Sequence, residues 1–244
     1  MNGVCVKAEK ISKSFFVIKR KRTFFKVLKA LVNKERLREE YSVLRDISFE
    51  VKNGERLAIV GKNGSGKTTL LRLITGIYDM TSGNLQINRE PRALFCFWIG
   101  LWGHLSVIDN IYSFGAIYGM GRNYLKERVS KIIETAQLYD LRFVPLKELS
   151  AGQMRRLSLS IFFQVPDDFL IFDESLAFLD QGFIQKCDEY FKELSSAGKT
   201  VITTSHDNSF LKKYCTTAIW LDEGHIRMSG SAEKVINEYE NSFR

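Results

Sequence analysis

The run Gly61-Lys62-Asn63-Gly64-Ser65-Gly66-Lys67-Thr68-Thr69 sets glycines, a lysine and two hydroxyls at spacings that suit one chemistry, the holding of phosphate. Glycines let backbone amides turn inward without Cβ clashes. Lys67 can reach the β- and γ-phosphates of a nucleotide, and the Thr68 hydroxyl can meet magnesium. Gly61, Gly66, Lys67 and Thr68 satisfy G-x-x-x-x-G-K-[ST] in full. The second chemical signal is FLIFDE, residues 169–174. Four apolar residues end in two acids, at the strand end where open α/β sheets place their ligands. There Asp173 would hold the magnesium through a water, and Glu174 would orient or deprotonate an attacking water.

These residues need elements that bring them together. RLAIV before the glycine run reads as a strand and TTLLRLI after it as a helix that Gly76 stops, so the phosphate run opens on helix amides. Residues 3–10 and 43–51 also read as strands, as do GNLQIN, DFLIFDE and TVITTSH. Residues 107–165 are expected to be mainly helical, in three stretches broken at Gly121 and at PLKELSAGQ. Beyond them come a helix at about 181–197, a short helix after TVITTSH, two strands around DEGH, and an amphipathic helix from Ser231. Apolar strands alternating with helices predict a largely parallel α/β sheet.

Composition narrows the class. The 244 residues can bury a sizeable core, and a 45% hydrophobic share is ordinary for a globular chain. No window supplies the roughly 20 apolar residues of a membrane span. Cys5, Cys96, Cys187 and Cys215 have no paired spacing, which fits reduced structural thiols rather than disulfides or a zinc site. The net charge of +8 is concentrated at one end: residues 1–40 hold 12 Lys/Arg against 4 Asp/Glu, whereas residues 41–244 hold 24 of each. Within that basic segment, Phe24, Leu28, Leu31 and Val32 fall on one face of a helix expected from Thr23 onward.

LSAGQ, residues 149–153, joins the phosphate run and the acids into a longer pattern. Arg156 lies seven residues after Leu149, Asp173 twenty-four after it, and His206 follows the next strand pattern. In these motifs and their order the chain resembles the ATP-binding cassette (ABC) ATPases, whose signature usually reads L-S-G-G-Q; Ala151 departs by one methyl. The resemblance covers nearly the whole chain. It implies a P-loop NTPase cassette, residues 1–244, with a RecA-like core, an N-terminal antiparallel β subdomain and a helical signature subdomain at about 92–165. It implies ATP and Mg2+ as ligands, His206 as a switch histidine beside the catalytic Glu174, and Ser150, Gly152 and Gln153 closing on the ATP of a second copy. Two cassettes pack head to tail in that arrangement. ATP then acts as the link whose loss on hydrolysis reopens the pair. An aromatic stacking on adenine is expected, with Phe15 or Phe16 and Tyr41 competing for the role.

One cassette without a membrane span or coiled coil looks like the separate ATPase subunit of a transporter, a homodimer acting on two copies of a polytopic permease. The basic insert at about 17–40, resumption at YSVLRDISFEV, and SLAFLD after the acids resemble the polysaccharide exporters of capsule, O-antigen or teichoic acid. That implies a peripheral protein on the cytoplasmic face of the inner membrane. A C-terminal carbohydrate-binding domain, present in some such exporters, is expected to be absent. Residues 19–38 either meet anionic headgroups or a substrate pyrophosphate, or form a solvated helix packed on the cassette. The alternatives are an ABC subunit for lipid, drug or import traffic, or a soluble ABC ATPase acting on nucleic acid; the chain lacks the second cassette or coiled coils usual in the latter, so no nucleic acid is expected.

ALFCFWIGLWGH, residues 93–104, is the most aromatic stretch. In the resembled family this segment bears a glutamine that senses magnesium and the γ-phosphate, and it lines the groove for the permease. No glutamine lies between Arg89 and Met120. The sensing role would pass to another residue, with His104 a candidate, and Phe97, Trp98, Leu101 and Trp102 either dock the partner or fill the core.

Overall fold

The computed structural model describes residues 3–18, 38–174 and 180–243. Two 15-residue strands, β1 (Val4–Ile18) and β2 (Arg38–Lys52), form an antiparallel pair, and β4 (Ser82–Ile87) joins the far side of β1. Both strands run well past the expected bounds of 3–10 and 43–51. Register shifts interrupt the pairing between Ala8 and Ile11 and between Lys13 and Ser14, and Lys10 and Asp46 adopt left-handed backbone, φ 49° and 50°. Such bulges break the alternation that marks a strand in sequence. Most of the basic insert expected at about 17–40, with the helix expected from Thr23, lies outside the described residues.

The second sheet carries the chemistry. Its order is β5 (Arg92–Leu94), β6 (Phe169–Asp173), β7 (Thr200–Thr204), β3 (Arg56–Val60), β8 (Thr217–Asp222) and β9 (His225–Ser231). All neighbours run parallel except β8 and β9. Parallel strands covered on both faces need near-continuous apolar runs, and RLAIV and FLIFD supply them. β6 shows how two layers share one strand. Leu170 and Phe172 pack with the helical layer, and Phe169 and Ile171 with the antiparallel sheet and α1 (Lys67–Ile74). The alternation is the period of two expected of a strand.

The helical layer consists of α2 (Val107–Ile117), α3 (Arg122–Ala136) and α4 (Ala151–Phe162), followed after β6 by α5 (Gln181–Ser196). α2, α3 and α4 match the three stretches expected within 107–165 closely. Residues 92–94, placed by sequence at the start of the helical part, form the edge strand of the parallel sheet instead. A third cluster seats α6 (Asn208–Tyr214) and α7 (Ala232–Asn241) on Ala58, Val60, Ala218 and Trp220. No helix among the described residues is long and apolar enough to cross a membrane.

Candidate active site

β3 delivers the chain to the phosphate loop at the C-terminal edge of the sheet. A Cβ on Gly61 would stand 2.2 Å from the Leu221 carbonyl oxygen, and one on Gly66 2.7 Å from Leu44 Cδ2. Both also have positive φ, 154° and 106°, so only glycine fits either place. Gly66 caps α1 with no side-chain hydrogen bond, and the first turn carries no acid. Its amides are therefore open to an anion. Lys62, Asn63 and Gly64 are exposed at the crest of the loop, while Thr68 and Thr69, partly buried, open the helix.

Two groups in the loop are incomplete without a ligand. Lys67 is only 8% exposed, and its Nζ donates to the carbonyls of Gly61 at 2.8 Å and Lys62 at 3.1 Å. Burial pulls its pKa below the usual lysine value, against the opposing pull of the Glu174 and Asp173 carboxylates. The Ser65 hydroxyl is buried with no hydrogen-bond partner. A phosphate oxygen would supply a charged partner to both.

The two acids stand at the end of β6, and the neighbouring strand holds them. Thr204 on β7 donates its hydroxyl to Asp173 Oδ1 at 2.7 Å. The Thr204 hydroxyl oxygen in turn accepts the Glu174 amide at 3.0 Å, and the Thr204 carbonyl accepts it at 3.2 Å. Glu174 has φ 50°, a left-handed conformation that costs a non-glycine residue of order 1 kcal/mol. His206, two residues beyond Thr204, brings Nε2 to 3.2 Å from Glu174 Oε1. Both side chains are partly exposed, so the contact orients more than it stabilises. The structure thus joins Lys67, Asp173, Glu174 and His206 and adds Thr204, which sequence reasoning missed. The signal for it was a hydroxyl two residues before the histidine, readable only once β6 and β7 are known to be parallel partners.

Magnesium fits this donor set. It is commonly bound by one or two side chains with waters and substrate phosphates completing the shell. Among the described residues no cluster of three or more His, Cys, Asp or Glu forms a protein cage, and Thr68 and Asp173 offer two oxygens.

The signature begins α4. Ser150 is the N-cap: its hydroxyl accepts the Gln153 amide at 3.2 Å, and Gln153 Oε1 accepts the Ser150 amide at 2.8 Å. Gln153 is thereby committed to a capping box. Among the described residues the Ser150 oxygen only accepts, which leaves its O–H to donate. A Cβ on Gly152 would meet nothing within 4 Å, so no packing within the chain demands glycine there. Ala151 is exposed and costs the fold nothing. Arg156 on the same helix donates to Asp180 Oδ2 at 3.1 Å and to Gln137 Oε1 at 3.2 Å. Asp180 in turn caps α5 through the Phe183 amide. Residues 175–179, which include most of SLAFLD, lie outside the described residues.

The candidates for adenine stacking prove to be neighbours. Phe15 and Tyr41 are direct partners across β1 and β2. Phe15 packs edge-on against Tyr78 with the Lys13 ammonium 4.9 Å from its ring centre. Tyr41 is 62% exposed and makes no ring contact among the described residues; Phe16 is also exposed. In the aromatic stretch, Phe97 and Leu101 pack against the helical core, while Trp98 (49%), Ile99 and Trp102 (62%) are exposed; Ile117, exposed as well, borders Gly100 between them. Of the four sequence candidates for docking, two turn inward. His104 is exposed in a turn.

The chain resembles known proteins along most of its length. It is 34% identical over 239 residues, 98% of the chain, to the teichoic acids export ATP-binding protein TagH of Bacillus anthracis, of which it covers 43%. It is 36% identical over 202 residues to the O-antigen export system ATP-binding protein RfbB of Myxococcus xanthus, covering 83% of the chain and 46% of that protein. Against the RfbB of Klebsiella pneumoniae it is 32% identical, and there it covers 84% of the chain and 83% of the relative. The chain thus spans about half the length of the first two relatives. Among solved structures, an ATP-binding subunit of an ABC transporter aligns with TM-score 0.73 at 18% identity over 97% of this chain and 93% of that one. A dimeric ATP-binding cassette in a post-hydrolysis state, bound to ADP and Pi, aligns with TM-score 0.72 at 20% identity, covering 93% and 98%. These two likenesses establish the fold, a mixed α/β cassette with an antiparallel sheet and a helical layer. The family model described as ABC transporter matches residues 44–177, from β2 past the paired acids of β6. On that match, more than half its length, the chain belongs to the ABC transporter family.

Proposed function

We propose that this chain is the ATP-hydrolysing subunit of an ABC exporter that moves a lipid-linked polysaccharide across the cytoplasmic membrane. It acts as a homodimer, peripheral at the cytoplasmic face, on two copies of a separate polytopic permease. One observation carries the hydrolytic reading: Glu174, held by Thr204 and His206, shares its electrostatic field with a buried lysine in an otherwise incomplete phosphate loop. The glycan class is supported by relatives named for teichoic acid and O-antigen export.

In this reading the triphosphate lies along Gly61–Thr69, with Lys67 and Ser65 donating to its oxygens. Thr68 and Asp173 would hold a magnesium ion, which would supply positive charge to offset that of the phosphates. Glu174 accepts a proton from the attacking water at its carboxylate, and the His206 imidazole keeps that carboxylate turned toward the water. Ser150 of the second copy donates its remaining O–H to the γ-phosphate, and the open approach at Gly152 lets the two backbones close. Tyr41 stacks on adenine: among the described residues its exposed ring has no ring partner, whereas Tyr78 and Lys13 already pack on its neighbour Phe15. Residues 19–38 meet anionic headgroups or the substrate pyrophosphate through their excess positive charge.

Removing the chain from its cell tests the whole reading. Lipid-linked glycan is expected to accumulate inside while surface glycan disappears. A cell with normal surface glycan and an ATPase stimulated by nucleic acid overturns it. The exposed Trp98–Ile99–Trp102 face, with Ile117, is the docking surface for an apolar cytoplasmic helix of the permease. Exposed tryptophans at the centre of an interface are typical anchors, so Trp98→Ala with Trp102→Ala is expected to weaken binding to permease-containing membranes by about 10- to 100-fold. Unchanged co-sedimentation ends the docking reading.

A further inference from the structure

Phe97 sits between the docking face and the helical layer, and α4 grips it at two points. Ser158, fully buried, donates its hydroxyl to the Phe97 carbonyl oxygen at 2.8 Å while also reaching the Met154 carbonyl at 3.1 Å. Arg155 lays its guanidinium over the Phe97 ring, 4.5 Å from the centroid. Residues three apart lie on one face of a helix, so both grips come from the same side of α4. The same helix opens at Ser150, five residues before Arg155, with Gln153 closing its capping box. The far end of the segment is pinned as well. The buried Asn110 amide accepts from the Trp102 N–H at 2.6 Å and donates to the carbonyls of Trp102, Leu105 and Ser106 at 3.0, 3.1 and 2.9 Å. Trp98 and Trp102 are therefore exposed rings on a segment anchored at two places, to the signature helix α4 through Phe97 and to α2 through Asn110.

We propose that Arg155 and Ser158 are positioning residues that, through Phe97, make the Trp98–Trp102 face and the signature move as one piece. Closure of the signature on the ATP of the second copy then shifts the docking face, and a load on the docking face is felt at the signature. A stiff helix with a buried hydrogen bond and a cation–π contact at fixed offsets transmits such a displacement. This gives a physical connection between nucleotide and partner in a chain with no glutamine between Arg89 and Met120. The inference rests on the reading that the signature closes on a second copy.

Fluorescence tests it directly. The chain has three tryptophans; Trp98 and Trp102 are exposed on this segment, and Trp220 is buried. In a full-length Trp220→Phe, Glu174→Gln parent, all indole emission comes from the docking face. MgATP is expected to pair the parent, seen by size-exclusion chromatography, and to shift that emission. The Arg155→Met, Ser158→Ala variant is expected to pair with MgATP but to lose the shift. Phe97→Leu, which leaves α4 untouched, repeats the loss, and Phe97→Tyr, which keeps an aromatic ring, retains the shift. If the α4 variant or Phe97→Leu pairs and shifts as the parent does, or the parent pairs without any shift, the inference is overturned. If the parent binds MgATP without pairing, the reading of the signature fails, and the inference falls with it.

Discussion

A Glu174→Gln chain is expected to bind ATP normally, hydrolyse it about 10²- to 10⁴-fold more slowly, and accumulate as an ATP-bound dimer. The amide keeps the size of the carboxylate and can still meet His206, so the local geometry survives. What it loses is a basic oxygen, because an amide cannot take the proton of the attacking water. The left-handed backbone at Glu174 and its two contacts to Thr204 come from the main chain and persist in the variant. Single-turnover release of phosphate, with chromatography of the ATP-loaded protein, measures both effects. Near-normal hydrolysis would remove Glu174 from the role of base.

Lys67→Ala acts at an earlier step. The ammonium is buried, and its only hydrogen-bond partners in the described chain are two carbonyls of its own loop. A charge-assisted bond to phosphate is worth about 1.5–3 kcal/mol, so nucleotide affinity should fall by about 10- to 100-fold. Turnover should fall further, since charge grows on the transferring phosphoryl group's surroundings in the transition state. The variant removes a buried charge and leaves the Gly61 and Lys62 carbonyls without its donors, so loss of affinity is to be told apart from loss of fold. Calorimetric titration with ATP and circular dichroism of the empty protein separate the two. A variant that binds ATP like the parent would show that the loop does not hold phosphate through Lys67.

Much of the site was legible because its signals are short. The phosphate loop, the paired acids and the signature each lie within nine residues, and each sits at the junction of a strand or helix that its flanks announce. The helices at 107–117, 122–136 and 151–162 were readable from period and breakers. What escaped depends on pairing across distance. Thr204 reaches Asp173 over 31 residues through a parallel register that no local pattern encodes. Arg156 meets Asp180 over 24 residues. Phe15 and Tyr41 looked like rivals in sequence, yet the strand register makes them adjacent. The far half of the β1–β2 pair was hidden because left-handed residues at Lys10 and Asp46 break the alternation, and serines, lysines and exposed aromatics follow. The aromatic stretch divides by packing, with Phe97 inward and Trp98 outward, which composition alone cannot sort.

The capping box at Ser150 and Gln153 has one more consequence. A helix start of this kind contributes about 1 kcal/mol to the fold whether or not nucleotide is near. On the proposed function Ser150 therefore answers to two separate demands, one present in every free copy and one only in a closed pair, while Gln153 serves the first. Drift in either side chain would be felt first as a frayed helix in the resting protein, before any contact across the pair is tried. Letters that look like a label for nucleotide contact are also the thread that keeps the helix from unwinding.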